Sequence, residues 1–93
     1  MEEQAEYTIR VPGELWPSRR DWTAIVVGIY KDVGDKVAQG ELVAELELEK
    51  AIVEVESPVP GTVLKVHAGK GDRVRPGDPL LTLRRAVDGG LEG

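Results

Sequence analysis

The sequence predicts an all-β fold, a sandwich or barrel of short strands, and three observations support this class. β-branched runs recur along the chain, and no segment sustains the i, i+3, i+4 apolar spacing of an amphipathic helix. Turn residues separate these runs, because 11 glycines and 6 prolines interrupt the 93 residues every few positions. The third observation is an internal repeat with an offset of 37 residues.

The predicted strands cover residues 7–11, 23–30, 42–48, 51–55, 61–66 and 80–83. Many short strands at this spacing, with turn signals between them, are typical of sandwiches and barrels. The length favours one domain, and area scaling gives roughly 64% of the unfolded surface buried on folding, which is enough for one small core. We expect the domain to span residues 7–85, with a disordered N-terminus over 1–6 and a flexible tail over 86–93.

The alternation of apolar and polar residues is cleanest between residues 42 and 56. In the first strand, one face is predicted to carry Leu42, Ala44, Leu46 and Leu48, and the other to carry Val43, Glu45 and Glu47. After Glu49-Lys50 the phase shifts by one residue, and the inward set becomes Ala51, Val53 and Val55. This shift predicts two antiparallel strands that meet in a tight turn, with Lys50 at its tip.

The internal repeat relates residues 34–40 (GDKVAQG) to residues 71–77 (GDRVRPG). At the same offset, apolar or small residues of the predicted strands also correspond, such as Ala24 with Gly61 and Leu46 with Leu83. Two equivalent halves predict a sandwich with pseudo-twofold symmetry, in which each half supplies matching strands.

Composition and charge exclude several classes of function. The chain has no cysteine and one histidine, which excludes disulfides, cysteine-ligated zinc, thiol nucleophiles and a multi-histidine metal site. The net charge of −5 is unfavourable for binding a phosphate backbone, so we expect no nucleic-acid partner. No apolar run is long enough to span a bilayer, and the acidic start resembles neither a signal nor a transit peptide. We expect a protein of the cytoplasm with no membrane partner, no catalytic residues and no metal site.

The acidic residues of the predicted hairpin are interpreted mainly as a solvated face. Their alternation points each one outward from a half-buried strand, with a share in partner recognition as the alternative; they are Glu45, Glu47, Glu49, Glu54 and Glu56. The Gly-Asp pairs are interpreted as turns, because no glycine-rich strand-to-helix context follows them. His67 is predicted to be a surface residue.

Several motifs occur in order along the chain. They are IRVP at 9–12, VGDKVxxG at 33–40, ELEKA at 47–51, SPxxGxV at 57–63, and GDxVxxG at 71–77 followed by Leu80. In this order and spacing, the chain resembles the biotinyl/lipoyl-attachment domain family from about Tyr7 to Leu83. The resemblance implies a flattened β-sandwich of two antiparallel sheets, a barrel-sandwich hybrid, with a covalently modified lysine at Lys50.

The neighbours of the lysine distinguish the branches of this family. Biotin carriers resemble Met-Lys-Met, whereas lipoyl domains resemble an acidic residue, then Lys, then Ala. Glu49 and Ala51 follow the lipoyl pattern, with Glu where Asp is commoner, and the start of the chain resembles lipoyl domains of 2-oxoacid dehydrogenase acyltransferases. The resemblance implies lipoic acid as the cofactor, bound as lipoamide on Lys50. The alternatives are a biotin carboxyl carrier, with biotin on Lys50, and an unmodified interaction module of the same fold.

The lipoyl resemblance also implies partners, because a lipoyl domain is a carrier and not an enzyme. A lipoate ligase or lipoyl transferase would modify Lys50. A thiamine-dependent decarboxylase, an acyltransferase and a flavin-dependent dihydrolipoamide dehydrogenase would then use the arm, which shuttles acyl groups and electrons between their active sites. We expect the domain to be monomeric, in the cytoplasm, or in the mitochondrial matrix if the organism is eukaryotic.

The segment over residues 13–22 is predicted to be a loop with two tryptophans and two adjacent arginines. We expect Trp22 to pack against the sandwich. In the family this loop lies beside the lysine hairpin, which implies a role in partner recognition for Trp16, Arg19 and Arg20. The loop is longer than usual and has Arg19-Arg20 where Gly and Glu are typical.

Overall fold

The computed structural model describes residues 5–15 and 21–86, and its elements are almost entirely β-strands. In chain order the strands are β1 (Glu6–Arg10), β2 (Ala24–Ile29), β3 (Lys36–Val37), β4 (Leu42–Leu48), β5 (Ala51–Glu56), β6 (Gly61–Val66), β7 (Arg73–Val74) and β8 (Pro79–Arg85). One turn of 3₁₀ helix covers Gly13–Leu15. Within the described residues, no helix has the length and apolar character needed to cross a membrane.

The strands form two four-stranded sheets. Sheet A has the order β1-β8-β6-β3, sheet B has the order β5-β4-β2-β7, and every neighbouring pair is antiparallel. This arrangement confirms the prediction of an all-β sandwich of two antiparallel sheets. The two-residue strands β3 and β7 lie inside the repeated Gly-Asp segments and were not predicted as strands.

The pseudo-twofold repeat is present in the topology. The bounds of β2, β3 and β4 shift by the repeat offset onto those of β6, β7 and β8, and β5 occupies the place in sheet B that β1 occupies in sheet A. The irregularity between Val26 and Gly28 in the β2–β4 pairing recurs between Val63 and Lys65 in the β6–β8 pairing. Glycines at equivalent turn positions also share a positive φ: Gly34 and Gly71, and Gly40 and Gly77. The repeat is therefore structural as well as sequential.

The core lies between the sheets and consists of aliphatic side chains with one tryptophan. Trp22 is buried, as predicted, and packs in the same cluster as the leucines of β4 and β8. Two orientations differ from the prediction. Val43 is buried beside Ala44 because the β4–β5 register shifts between Leu42 and Ala44, which turns both side chains inward. Ala51 is exposed because it begins an edge strand at the end of the sandwich.

Candidate functional site

The hairpin of β4 and β5 ends in a two-residue turn that contains Lys50. Leu48 and Ala51 form the last cross-strand pair, so Glu49 and Lys50 are the two central residues of the turn. The hairpin forms because both strands have an apolar inner face and because the phase of that face shifts at the turn. Leu48 is buried, whereas the next three residues are all exposed. The core therefore ends immediately before the lysine.

Glu49 adopts a left-handed backbone conformation, with φ of 58°, and it is the non-glycine residue in the described chain that does so. A positive φ at the first central residue but not at the second is the φ pattern of a type II′ turn, which favours strand pairing in hairpins. This position normally carries glycine, and an L-residue there costs roughly 1–2 kcal/mol. No local signal in the sequence predicted this strain, since glutamate is not a typical residue of the left-handed region.

The ε-amine of Lys50 is accessible to a large reagent. In the part of the chain that the structure describes, no ion pair or hydrogen bond engages this side chain. Ala51 follows it with a single methyl group, and Glu49 precedes it with an exposed carboxylate. A solvated primary amine with little steric cover on a hydrogen-bonded hairpin is suited to acylation, because its attachment point stays fixed while the side chain remains mobile.

The segment before β2 approaches the same end of the sandwich as Lys50. Ile25 in β2 pairs with Glu47, three residues before the lysine, so the described end of the preceding loop lies at the hairpin end. Trp22 anchors this end in the core, where its indole Nε1 has no hydrogen-bond partner. The proposed recognition residues of the loop, Trp16, Arg19 and Arg20, lie outside the described residues.

The first strand, β1, begins at the end of the sandwich opposite Lys50, and the last strand, β8, ends there. β5 runs away from the turn to Glu56, and residues 57–60 then lead to Gly61, which pairs with Arg85 in β8. Glu6, at the start of β1, pairs with Arg84. Lys50 is therefore clear of both the start of β1 and the end of β8.

Four of the five predicted acidic residues lie on the outer face of sheet B, and the fifth, Glu49, lies in the turn. Glu47, Glu54 and Glu56 are exposed, and Glu45 is half-buried. Among the described residues, no group of three or more acidic or histidine side chains is arranged to hold a metal ion. His67 is exposed, and its Nε2 lies 2.7 Å from the Thr82 hydroxyl.

Two residues near the hairpin were not singled out in the sequence. The Tyr30 hydroxyl donates a 2.6 Å hydrogen bond to Glu45 Oε1, and this bond, followed by desolvation and the charge of Glu45, raises the pKa of Tyr30. The ring lies over Gly28, where a Cβ would approach it to 2.8 Å. Ile52, two residues after Lys50, has 54% of its surface exposed. In the sequence, Gly28, two positions before Tyr30, was a possible signal for the contact between the tyrosine ring and this glycine.

Comparisons with known proteins relate the chain to a family of biotin-requiring enzymes and to dihydrolipoyllysine-residue succinyltransferases. The family model described as "Biotin-requiring enzyme" matches residues 20–83. The chain is 44% identical over 55 residues to the human dihydrolipoyllysine-residue succinyltransferase component of the mitochondrial 2-oxoglutarate dehydrogenase complex. This match covers 59% of the chain and 12% of the human protein, so the chain corresponds to a small part of that relative.

Solved structures share the fold at low sequence identity. The lipoyl domain of the 2-oxoglutarate dehydrogenase complex from Azotobacter vinelandii superposes with a TM-score of 0.68 at 22% identity, over 87% of this chain and 100% of that domain. A single-chain, multi-domain long-chain acyl-CoA carboxylase superposes with a TM-score of 0.73 at 22% identity, over 99% of this chain and 8% of that one. At this level of identity the two likenesses establish the fold alone.

Proposed function

The chain belongs to the biotinyl/lipoyl-attachment family, and on this premise we propose that it is a lipoyl carrier domain that bears its cofactor on Lys50. The observation that carries the proposal is the position of Lys50, exposed in the two-residue turn that ends the β4–β5 hairpin. Glu49 and Ala51 flank it in the lipoyl pattern. Trp16, Arg19 and Arg20 are proposed to help partner enzymes recognise the domain.

Attachment requires the neutral ε-amine of Lys50 as a nucleophile. The nitrogen attacks the carbonyl carbon of an activated lipoyl group, an amide bond forms, the activating group leaves, and the amine loses one proton. When bound, lipoamide supplies a dithiolane whose S–S bond is reduced by two electrons as it accepts an acyl group, which supplies the thiol chemistry that a chain without cysteine lacks. The side chains of this domain hold and present the group.

The hairpin meets the mechanical requirement of a carrier. Six cross-strand pairs between β4 and β5 fix the base of the turn, and the buried Leu48 ties the last pair to the core. Beyond that pair, Lys50 has no contacts that would restrict an arm among the described residues. A tethered group reaches an effective concentration of millimolar order at each site it visits, provided that the tether spans the distance.

The proposed partners follow from this role. A lipoate ligase or lipoyl transferase modifies Lys50. A thiamine-dependent decarboxylase loads the arm, an acyltransferase unloads it, and a flavin-dependent dihydrolipoamide dehydrogenase reoxidises it. The domain performs none of these reactions itself, and it acts as the non-catalytic carrier of a 2-oxoacid dehydrogenase-type complex.

A biotin carboxyl carrier is the second candidate, because the matching family includes biotin-requiring enzymes. Glu49 and Ala51 argue against it, since they stand where the biotin branch has methionines. An unmodified interaction module would leave the amine of Lys50 free.

The test is the intact mass of the chain after expression in cells that contain both a lipoate ligase and a biotin ligase and are supplied with both cofactors. We expect a gain of one lipoyl group, and peptide mapping should locate it on Lys50. Lys50→Arg should remove the gain and keep the β-sheet circular dichroism spectrum, because an exchange at an exposed turn residue changes stability by about 0.5 kcal/mol or less. A gain of biotin would select the second candidate, and an unchanged mass would select the unmodified module.

A further inference from the structure

The first half of the repeat holds a lysine side chain against one of its own turns. The Lys31 Nζ lies 2.5 Å from Glu41 Oε2, and it donates a 3.3 Å hydrogen bond to the backbone carbonyl of Lys36. The lysine has 19% of its side-chain surface exposed, so most of its methylene stem is covered. Its hydrogen bond is also the main cause that lowers the pKa of the Glu41 carboxyl. We call this arrangement the Lys31 site, an occupied site for a primary ammonium group.

The second half repeats the groups that hold the ammonium but not the lysine itself. At the offset of 37 residues, the corresponding pairs are Glu41 with Asp78, Lys36 with Arg73, and Lys31 with Ala68. The methyl group of Ala68 supplies neither the stem nor the charge of a lysine. The second half therefore has a carboxylate and a backbone carbonyl in the repeated places, without the cation.

The carboxylates of Glu41 and Asp78 lie on equivalent turns. Glu41 Oε1 accepts a 2.9 Å hydrogen bond from the backbone N–H of Ala38, and Asp78 Oδ2 accepts a 2.8 Å bond from that of Arg75. Each turn is also closed in the other direction, from the N–H of the acidic residue to the carbonyl of Ala38 or Arg75. Although Asp78 is one methylene group shorter, each carboxylate thus uses one oxygen for its turn and keeps the other for a cation.

A groove of about 260 Å³ lies where the second half lacks the lysine. Its lining includes Ala68, Asp72 and Asp78, which are the counterparts of Lys31, Asp35 and Glu41. The absence of a side chain longer than a methyl group at position 68 therefore coincides with open space beside two carboxylates.

The positive groups of the groove do not satisfy its carboxylates. Arg73 and His67 also line it, but no described basic side chain lies within ion-pair distance of Asp72 or Asp78. His67 is instead engaged by Thr82 through its Nε2. A neighbouring positive charge does not prevent occupation, because Lys36 occupies the place of Arg73 in the first half, where the site holds its lysine.

We propose that this groove is a binding site for the side chain of a lysine supplied by another polypeptide chain. Its ammonium would contact the Asp78 carboxylate and the Arg73 carbonyl, and its stem would lie along Ala68. The same kinds of group hold a lysine in the first half. A compact ammonium suits two oxygens on different residues, whereas the planar arginine fork matches both oxygens of one carboxylate, and one oxygen of Asp78 is already used.

The groove lies at the β7 edge of sheet B, and β2 separates this edge from the β4–β5 hairpin. The inference therefore does not rest on the proposed function of Lys50.

The test titrates the ¹⁵N-labelled chain with N-acetyl-lysine methylamide and follows the backbone amide signals by NMR. The Arg75 amide donates to Asp78, so we expect its signal to shift as the probe concentration rises. The Ala38 amide is a control within the same molecule, since it donates to Glu41, whose carboxylate already holds Lys31. Its signal should stay in place. The same probe acetylated at its Nε keeps the stem but loses the charge, and it should shift neither signal.

Three variants test the groups that form the site. Asp78→Asn removes the charge but keeps an oxygen for the Arg75 N–H, and it should weaken binding of the probe by about two- to fivefold. Ala68→Lys supplies the missing side chain from the chain itself and should block the response of Arg75. Lys31→Ala empties the first site, so the Ala38 amide should now respond to the probe.

The matched control is Glu54→Gln, which makes the same change in net charge as Asp78→Asn. Glu54 is exposed on β5, at the opposite edge of sheet B, so this variant should bind the probe as the parent does. An equal loss of binding in both variants would show that net charge attracts the probe, and the site would be refuted.

Other outcomes also overturn the inference. A shift of the Arg75 amide with the Nε-acetylated probe would show that the ammonium is not recognised. A response that survives Ala68→Lys would place the probe outside the groove. If n-butylammonium chloride shifts the Arg75 amide and the lysine probe does not, the groove takes a small free amine and not the lysine of a polypeptide. None of these measurements involves Lys50, so the mass test of the proposed function is decided separately.

Discussion

The two sheets have the same backbone arrangement but serve different purposes. Sheets A and B share strand order, register, the position of the β-bulge and the turn glycines. They differ in what joins the paired strands: Glu49-Lys50 connects β4 to β5, whereas β8 and β1 are the separate last and first strands. The repeat therefore creates two equivalent ends but only one hairpin turn with a lysine, which makes Lys50 unique in the described fold.

The connections between the sheets differ as well. Residues 57–60 cross from β5 to β6 by a short path, whereas the equivalent crossing from β1 to β2 includes a 3₁₀ turn and the loop before Trp22. At the repeat offset Trp22 corresponds to Val59, which is half-buried, while Trp22 is 3% exposed. The described ends of the longer crossing, at Val11 and Trp22, lie at the Lys50 end. Interior positions are thus similar in the two halves, and the differences lie in the outer faces and connections.

The largest expected effect tests whether the two halves contribute equally to the core. Leu46 and Leu83 are equivalent in the repeat, and both are fully buried. Leu46→Ala and Leu83→Ala should each lower the free energy of unfolding by about 2–5 kcal/mol, through lost burial and a residual cavity. Urea denaturation followed by circular dichroism measures both values.

The comparison is strengthened if the two values agree within about 1 kcal/mol, since the burial and chemistry of the two changes are the same. A large difference would show that one sheet relaxes around the cavity and the other does not. In that case the pseudo-twofold symmetry would describe the backbone and not the packing.

A smaller effect is expected where the halves differ by one methyl group. Ala24 at the start of β2 corresponds to Gly61 at the start of β6, where a Cβ would collide with the backbone carbonyl oxygen of Arg84. Because backbone atoms of a paired strand cannot move aside easily, Gly61→Ala should cost about 1–3 kcal/mol. The reciprocal change Ala24→Gly should cost about 0.5–1 kcal/mol, through the greater flexibility of glycine in the unfolded chain.

Thermal denaturation of the two variants ranks these costs. If Gly61→Ala proved as mild as Ala24→Gly, the close approach of β8 to β6 at this position would be adjustable. The difference between Ala24 at the start of β2 and Gly61 at the start of β6 would then have no steric basis.

The fold could be predicted from the sequence because its signals are local and repeated. Apolar alternation located six of the eight strands, and the repeated Gly-Asp motifs located both pairs of turns with positive-φ glycines. The predicted family is confirmed. The strands β3 and β7 could not be predicted, since two residues are too short to show a period. The inward position of Val43 depends on a register shift that alternation alone does not contain.

The site was less predictable, because its geometry depends on contacts between strands. The phase shift after Leu48 placed Lys50 in a turn, but the left-handed backbone of Glu49 had no signal in the residue type. The opposition of Glu45 and Glu54 requires the register of β4 against β5, and the bond from Tyr30 requires the bulge at Gly28. Attachment of lipoate to Lys50 remains a prediction, as do the roles of Trp16, Arg19 and Arg20.

The smallest expected effect is a change in the pKa of Tyr30. It concerns a side-chain hydrogen bond that occurs at equivalent places on the outer faces of the two sheets, between Tyr30 and Glu45 on sheet B and between His67 and Thr82 on sheet A. The hydrogen bond to Glu45 raises the pKa of Tyr30 above its ordinary value of 10.0. A raised folded pKa means that the stability contributed by this bond is fully present below the pKa of an unfolded tyrosine and is lost as the pH rises through the folded value.

Glu45→Gln removes the carboxylate charge and weakens the bond, so the pKa of Tyr30 should fall toward the ordinary value. The ultraviolet absorbance of tyrosinate, titrated in a Tyr7→Phe background where Tyr30 is the remaining tyrosine, measures this change. Thr82→Val, the equivalent change on sheet A, should leave the titration of Tyr30 unchanged. An identical pKa in the Glu45→Gln variant and its parent would show that the bond does not persist in solution, and the two outer faces would then differ in charge but not in how they are held.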